Sequence, residues 1–331
     1  MKTKAQTLIL GGGIAGLTCG RTLRDAGLDV LILDKGRKAG GRSATRRSDS
    51  QAFDHGAQYF TVRDELFRSQ VEDWVQDGTV ARWQGRIGTL TNGRVGDTQG
   101  TTERWVGVPG MSALGRALAS DLDVRTSTRI NALEHHALQH GQTWRATAED
   151  GSIFEGERIV ISFPAPQAVE ILPDDLPLKQ EVDAVRMSPC WALMATFETR
   201  VDLALDGAFI NDSPITWAAR NNSKPGRPSA ESWVLHASPE WTVEHLNESR
   251  ENVAELLLQA FQQAAGIGLP PATTWIAHRW GFALASEALN KDYLYDPNAG
   301  LGFCGDWCPG ARIEGAYLSG LALANAILTK I

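Results

Sequence analysis

The sequence predicts an α/β fold: a domain built on a parallel sheet and a β-meander, with a second, α+β domain inserted into it. Three stretches carry that expectation. Residues 7–34 run from an apolar segment through a glycine turn and a helical pattern to a second apolar segment. Residues 143–164 hold two strand-like runs, "TWRATAED" and "RIVISFP", with a glycine turn between them. Residues 300–328 return to a short apolar run and then a long helical pattern. Strands alternating with helices in this order build a parallel sheet.

The first unit is the most informative. "TLIL" at 7–10 has the length and character of a buried strand. In the next segment Ile14, Leu17, Thr18 and Leu23 recur at helical spacing, and Gly27 is a natural stop. "LDVLILD" follows as a second buried strand ending in Asp34. The turn "GGGIAG" at 11–16 places Gly11, Gly13 and Gly16 at dinucleotide-fingerprint spacing, inside a β-α-β unit of about 30 residues. Gly11 permits the tight turn. Gly13 lacks a Cβ, so a pyrophosphate can approach the helix start at Ile14 and Ala15, where free N–H groups and the helix dipole favour negative charge. Gly16 lets helix and strand pack closely, and Asp34 stands where an acid accepts hydrogen bonds from an adenosine ribose. This defines a Rossmann-type unit; a structural glycine turn in another α/β fold is the alternative.

Composition narrows the function. The chain has 331 residues, 43% hydrophobic and 21% charged, which suits a globular protein of one large or two intimate domains. A net charge of -7 offers no footprint for nucleic acid. The 4 cysteines, at 19, 190, 304 and 308, are too few for a disulfide scaffold, so reduced thiols and a cytoplasmic location are expected. Cys304 and Cys308 flank a "GD" turn and read as a buried thiol and a loop thiol. "MKTKAQTLILGGG" has too short an apolar stretch for a signal peptide, and no window approaches the ~18 apolar residues of a membrane span. Of the 11 tryptophans, most are expected in the core and a minority around a flat aromatic ligand. His135, His136 and His140, in "HHALQH", fit a surface turn or strand end, and no metal site is expected.

Two further glycine segments agree with the first. "RKAGGRSATRR" at 37–47 holds the pair Gly40–Gly41, then Arg42, among five positive residues. "GLGFCGDWCPGARIEGAYLSGLALANAIL" at 300–328 is a short strand, an acid at Asp306, and a helix opening at Ile313, Glu314, Gly315 and Ala316. Ile313, Ala316, Tyr317, Gly320, Leu321, Ala324 and Leu328 mark its buried face. Together these segments resemble the flavoprotein amine oxidase superfamily. The resemblance implies FAD, held non-covalently: Gly41 lets backbone approach it, Arg42 neutralises its phosphates, and Asp306 binds its ribityl or pyrophosphate part. The start of the last helix then faces the pyrimidine side of the flavin.

In such a fold the FAD-binding domain is discontinuous, expected at 1–65, 105–165 and 278–331, with the substrate-binding domain at 66–104 and 166–277. The stretch after "FDHGAQYFTV" reads as polar and irregular to about residue 104. "WVGVPGMSALGRALASDL" reads as a turn and a helix with Ser112 as a possible N-cap.

Within the superfamily, "DKGRKAGGR" (Asp34, Lys35), "DHGAQYFT", "VLHAS" and "HRW" resemble the renalases, including bacterial renalase-like enzymes. Gly56, Ala57 and Gln58 join the expected cofactor contacts on that basis. Renalases oxidise the 2- and 6-dihydro isomers of NAD(P) by hydride transfer to flavin, with O2 reduced to hydrogen peroxide. Carried over, this implies a reduced pyridine nucleotide and O2 as small-molecule partners, and a pocket drawing on Tyr59, Asn222, His236 and Trp280. Lys224 and Arg227 would lie near its mouth and meet a substrate phosphate. A flavin-dependent amine oxidase or desaturase, and a non-catalytic flavin-binding module, remain alternatives.

Overall fold

The computed structural model describes residues 3–48, 51–98, 102–138 and 141–330. Two large sheets organise them. In the first, the order is Ile130–Leu138, Gly141–Ala148, Ile153–Ile161, Lys4–Leu10, Val30–Leu33 and Val124–Arg125. Leu301–Phe303 also runs parallel to Ile153–Ile161, and Leu294–Asp296 pairs beyond it. The centre is parallel, with Leu8 beside both Ile159 and Leu31. The first three strands in this order form the antiparallel meander.

Strand residues alternate between two cores because successive side chains point to opposite faces. Ile9, Ile32 and Val160 face the helices Ile14–Asp25 and Ile313–Leu328, with Leu17, Leu23, Leu323 and Ile327 packed against them. Leu8, Leu10, Leu31 and Ile159 face the other way, onto Trp144, Phe303 and Trp307. A Cβ on Gly16 would stand 2.1 Å from the Gly11 carbonyl oxygen and 2.3 Å from Ser162 Oγ, so only glycine fits that helix–strand contact.

The second sheet has the order Ala272–Glu287, Arg186–Phe197, Ser232–Ala237, Ile215–Arg220, Gly207–Asn211, Ile87–Thr91 and Arg94–Thr98. One face packs on the helix Arg250–Ala265, where Leu193, Leu235 and Trp233 meet Leu257 and Phe261. That helix is capped by Ser249 Oγ, which accepts from Asn252 N–H, and closes at the left-handed Gly266. The opposite face carries His236 and Trp217 towards the first unit.

Three expectations need correcting. The described residues of 66–104 are not irregular. Glu65–Gln76 is a helix with Asp64 as N-cap, burying Phe67, Val71 and Trp74 at helical spacing. It packs on the last helix of the first unit, with Phe67 and Tyr317 rings 5.2 Å apart. The boundary set between 277 and 278 falls inside the continuous strand Ala272–Glu287. Ser112 is not an N-cap: it is the first residue of the helix Ser112–Ala119. Its own N–H is met by Thr45 Oγ1 and that of Met111 by Asp54, so partners from outside the helix replace the cap.

Candidate functional site

A cavity of about 1530 Å³ runs between the first sheet's glycine turn and the second sheet. Drug-sized sites span about 300–1,000 Å³, so this volume accommodates a dinucleotide and a further ligand. Gly13, Asp34, Lys35 and Arg129 line one end; Tyr59, Phe209, Trp217, His236 and Trp280 line the other.

The glycine end is built for an anion. Gly13 caps the helix Ile14–Asp25 with no side chain bonded to its first-turn N–H groups. A Cβ on Gly13 would meet nothing within 4 Å, so the space above it is open to a ligand. Gly40 N–H donates to the Gly12 carbonyl at 2.7 Å, and the second glycine pair thus braces the first turn. Asp34 accepts from Gly12 N–H and Gly36 N–H, while burial raises its pKa. Lys35 Nζ donates to Gln167 at 2.9 Å at the cavity wall.

Other predicted contacts are placed differently from one another. Gly11, Ile14, Ala15, Gly41, Arg42, Gly56, Ala57, Gln58, Asp306 and Ala316 all border the cavity. Arg42 is engaged by protein groups: its Nη2 pairs with Asp306 at 2.6 Å and its Nη1 donates to the Ala283 carbonyl. Gly16 lies behind the turn, at the contact of helix and strand. Glu314 is turned away from the cavity. Its Oε1 accepts from Arg63 N–H at 2.6 Å and Asp64 N–H at 2.9 Å, tying the last helix to the helix Glu65–Gln76. Gly315 packs against Gly310, where a Cβ would come within 2.5 Å of its carbonyl oxygen.

At the other end, Tyr59, His236 and Trp280 converge and Asn222 does not. Asn222 turns to Ser229, Glu231 and Ser232, and its neighbour Asn221 is the buried one, bonded to Ala52 and Asp54. The organiser is His55, a residue that nothing in "DHGAQYFT" singles out by pattern. Its carbonyl accepts from Trp280 Nε1 at 2.9 Å and faces His236 Nε2 at 3.2 Å, so His236 carries its proton on Nε2. The His55 ring stacks on Trp280, centroids 5.0 Å apart. Burial pushes His55 and His236 down to about 4 and lowers His278 as well, so these imidazoles are neutral at pH 7.

Lys224 and Arg227 are not at the mouth. Both are buried against Asp54, Arg227 Nη2 at 2.5 Å and Lys224 Nζ at 3.4 Å. Lys224 also donates to Gln58 Oε1 at 2.9 Å. Two cations in the interior require a carboxylate, and Asp54 supplies it. Cys304 and Cys308 are both fully buried and stand off the cavity, whereas Cys190 borders it. His135 stacks on Trp144 and His136 meets Glu134 on the strand Ile130–Leu138; His140 lies outside the described residues. No group of three or more metal-ligating side chains occurs among the described residues. Nor is any helix there long and apolar enough to cross a membrane.

A Rossmann-type turn opening on an anion-ready cavity, closed by a second sheet with aromatic walls, defines a dinucleotide-cofactor protein. Comparison with known families sharpens this. An NAD(P)-binding Rossmann-like domain matches residues 9–73, and flavin containing amine oxidoreductase matches residues 86–328. The chain belongs to the flavin containing amine oxidoreductase family, and it is renalase-like within it. Renalase of Mus musculus is 23% identical over 306 residues, covering 86% of this chain and 87% of its own. Carotenoid 3,4-desaturase of Haloarcula japonica is 39% identical over 60 residues, 18% of this chain and 12% of its own. A proposed protoporphyrinogen oxidase of Exiguobacterium sp. 255-15 shares the fold, with TM-score 0.81, 14% identity and 100% of both chains covered. A putrescine oxidase bound to putrescine has TM-score 0.75 at 12% identity, covering 99% of this chain and 100% of its own. FAD is the cofactor, and the open space at Gly13 with Asp34 beyond it fits its phosphates and adenosine. The protein is a flavin-dependent oxidoreductase.

Proposed function

We propose that this protein is an oxidase of the 2- and 6-dihydro isomers of NAD(P), producing NAD(P)+ and hydrogen peroxide. The observation that carries the reading is the character of the substrate end of the cavity. Tyr59, Trp217 and Trp280 supply flat walls, and His55 and His236 are held neutral by burial. The lysines among the described lining residues, Lys35 and Lys38, belong to the segment that follows Asp34 at the opposite end. A dihydropyridine already carries a transferable hydride and leaves as an aromatic cation, so it asks for positioning and not for a strong base. Bound FAD supplies the hydride acceptor and, once reduced, the electrons for O2. The balance is one dihydro-NAD(P), one O2 and one proton in, one NAD(P)+ and one hydrogen peroxide out. In this reading Tyr59 and Trp280 border the ring and leave one of its faces to the flavin, and His236 orients it from the strand Ser232–Ala237. Renalase likeness over most of both chains supports it.

Amine oxidation is the competing reading, favoured by the same aromatic walls. A single experiment separates the two: anaerobic stopped-flow mixing of the FAD-loaded protein with 2-, 4- and 6-dihydro-NAD(P) and with a panel of amines. Rapid flavin bleaching is expected with the 2- or 6-isomers and only slow bleaching with the 4-isomer. Rapid bleaching by an amine, with no response to the isomers, would refute the proposal. A flavin that stays oxidised with every donor would point instead to a non-catalytic flavin-binding module.

A further inference from the structure

Arg46 borders the cavity, is exposed, and makes no side-chain hydrogen bond or ion pair among the described residues. Three other cations of the lining are engaged: Arg42 pairs with Asp306, Arg129 with Glu149, and Lys35 donates to Gln167. Arg37 and Lys38 follow Asp34 at the cofactor end. The hairpin of Thr45–Arg47 and Ala52–Asp54 decides which way Arg46 points. Thr45 lies opposite Asp54, and Arg46 opposite Phe53. Thr45 and Asp54 bond to each other on the side of the buried cations. Side chains alternate along a strand, so Arg46 and Phe53 occupy the other side. There Phe53 packs on Met194, Val234 and Ile276 of the second sheet. His278 comes two residues after Ile276 on the strand Ala272–Glu287, and hence on the same face. Arg46 is thereby set towards His278.

His278 also borders the cavity. It stands edge-on to His55 and Trp280, with ring centroids 5.0 and 4.6 Å apart. It is half-buried, its ring makes no hydrogen bond among the described residues, and its nitrogens are not sealed from solvent. The Arg46 charge reaches it: burial first, and then Arg46, lowers the His278 pKa. Arg46 also lowers His55, after burial and His278. A guanidinium without a counter-ion beside neutral imidazoles attracts an anion and repels a cation. The planar fork of arginine takes two oxygens of one phosphate, and a neutral imidazole adds one N–H.

We propose that Arg46 and His278 form a phosphate subsite beside the aromatic walls, Arg46 gripping two phosphate oxygens and His278 donating an N–H to the third. These are specificity-determining residues that bind a charged group away from the reacting ring. The inference rests on the dihydropyridine reading for which phosphate is held. It is the one on the ribose attached to the ring, because Trp280 borders the ring and is in contact with His278. The mononucleotide half then carries the charge recognition of the substrate, and an ammonium group is disfavoured at the same place.

The test needs no turnover. The FAD-loaded protein is titrated with nicotinamide mononucleotide and with nicotinamide riboside, which lacks the phosphate, and flavin absorbance reports binding. The mononucleotide is expected to bind at least about tenfold more tightly. Arg46→Gln should bring that ratio to within about twofold of one, and Arg46→Lys, which keeps the charge but not the fork, should keep part of it. His278→Phe keeps a ring and should reduce the ratio about threefold or more. General loosening of the pocket weakens both ligands and does not give this pattern. Inorganic phosphate should displace the mononucleotide only at a concentration at least about tenfold higher. Displacement at equal concentration would mark a site for free phosphate and overturn the proposal. So would a mononucleotide that does not bind, a ratio near one in the unaltered protein, or a ratio retained in Arg46→Gln or His278→Phe. Should His278→Phe fail to hold FAD, Arg46→Gln decides, since Arg46 is exposed and its replacement spares the core. Failure of the dihydropyridine reading is distinguishable from failure of the subsite. No flavin reduction by the dihydro isomers with the phosphate preference intact refutes the reading alone; reduction without the preference refutes the subsite alone.

Discussion

Asp54→Asn keeps the shape of the side chain and removes its charge, and the surroundings of Asp54 set the cost. Asp54, Lys224 and Arg227 have fully buried side chains. Asp54 Oδ2 accepts from Arg227 Nε at 3.2 Å, Arg227 Nη2 at 2.5 Å and Lys224 Nζ at 3.4 Å. Its Oδ1 accepts from Thr45 Oγ1 at 2.8 Å and Met111 N–H at 2.9 Å. Burial alone would raise the Asp54 pKa, but Lys224 and Arg227 hold it below the ordinary carboxylate value. Its contribution to stability is therefore present above the unfolded value and lost only as pH falls through the depressed folded one. Removing one partner of a buried pair costs about 3–5 kcal/mol, and here two cations are stranded, which places the expectation at about 4–5 kcal/mol. That is a large share of a total of about 5–15 kcal/mol. The pH dependence is diagnostic. Burial already lowers Lys224 to about 8 from 10.5, in spite of Asp54. Between those values the unfolded chain binds the proton that the folded chain has shed, so stability rises with pH there. Without Asp54 the Lys224 pKa falls further and the rising limb extends below pH 8, recovering about 1.4 kcal/mol per unit of extension. Urea denaturation of the FAD-saturated protein, followed by circular dichroism, should give a larger deficit at pH 6.5 than at pH 9. An equal deficit at both pH values, or one below about 1 kcal/mol, would refute the assignment of Asp54 as counter-ion.

Three other perturbations separate cofactor binding from folding and pocket from periphery. Gly13→Ala adds a methyl where no protein atom lies within 4 Å, so the FAD-free protein should melt within about 1 °C of the unaltered one. Its FAD affinity should fall at least about tenfold by fluorescence titration, since the methyl occupies the phosphate's approach. Gly16→Ala places its methyl 2.1 Å from the Gly11 carbonyl, and should lower stability before any cofactor is added. The two effects exchanged would refute the placement of the phosphates. Asn222→Ala should leave the second-order rate of flavin reduction within about twofold, because Asn222 faces Glu231 and Ser232 rather than the cavity. A loss of the size given by Tyr59→Ala would restore Asn222 to the pocket.

Local features of the fold are readable in the sequence, and long-range ones are hidden. The first unit is written in consecutive residues: a strand, a turn and a helix whose glycines touch within the turn itself, as Gly16 touches Gly11. The helix Glu65–Gln76 is equally local, yet its apolar Phe67, Val71 and Trp74 stand in a polar context that masks their spacing. Lys224 and Arg227 are hidden for another reason. "NNSKPGRPSAE" has the composition of an exposed loop, and the carboxylate that draws its cations inside is 170 and 173 residues away. His55 escapes sequence reasoning on related grounds. Its contacts with His236 and Trp280 span 181 and 225 residues, and no period or motif encodes such a pairing.

Those long-range contacts share one short segment, which ties the two ends of the cavity together. From 52 to 58 the chain bonds in turn to Asn221 through Ala52, to Lys224 and Arg227 through Asp54, and to His236 and Trp280 through the His55 carbonyl. Ala57 N–H donates to the Arg42 carbonyl at 3.0 Å, and Gln58 accepts from Lys224 at 2.9 Å. Arg42 and Gln58 both border the cavity. The backbone that carries His55 is thus bonded to the second glycine segment, and Asp54 and Gln58 on it are held by Lys224 and Arg227, cations buried between two strands of the second sheet. The buried cluster of Asp54, Lys224 and Arg227 thus braces the cavity wall without lining it.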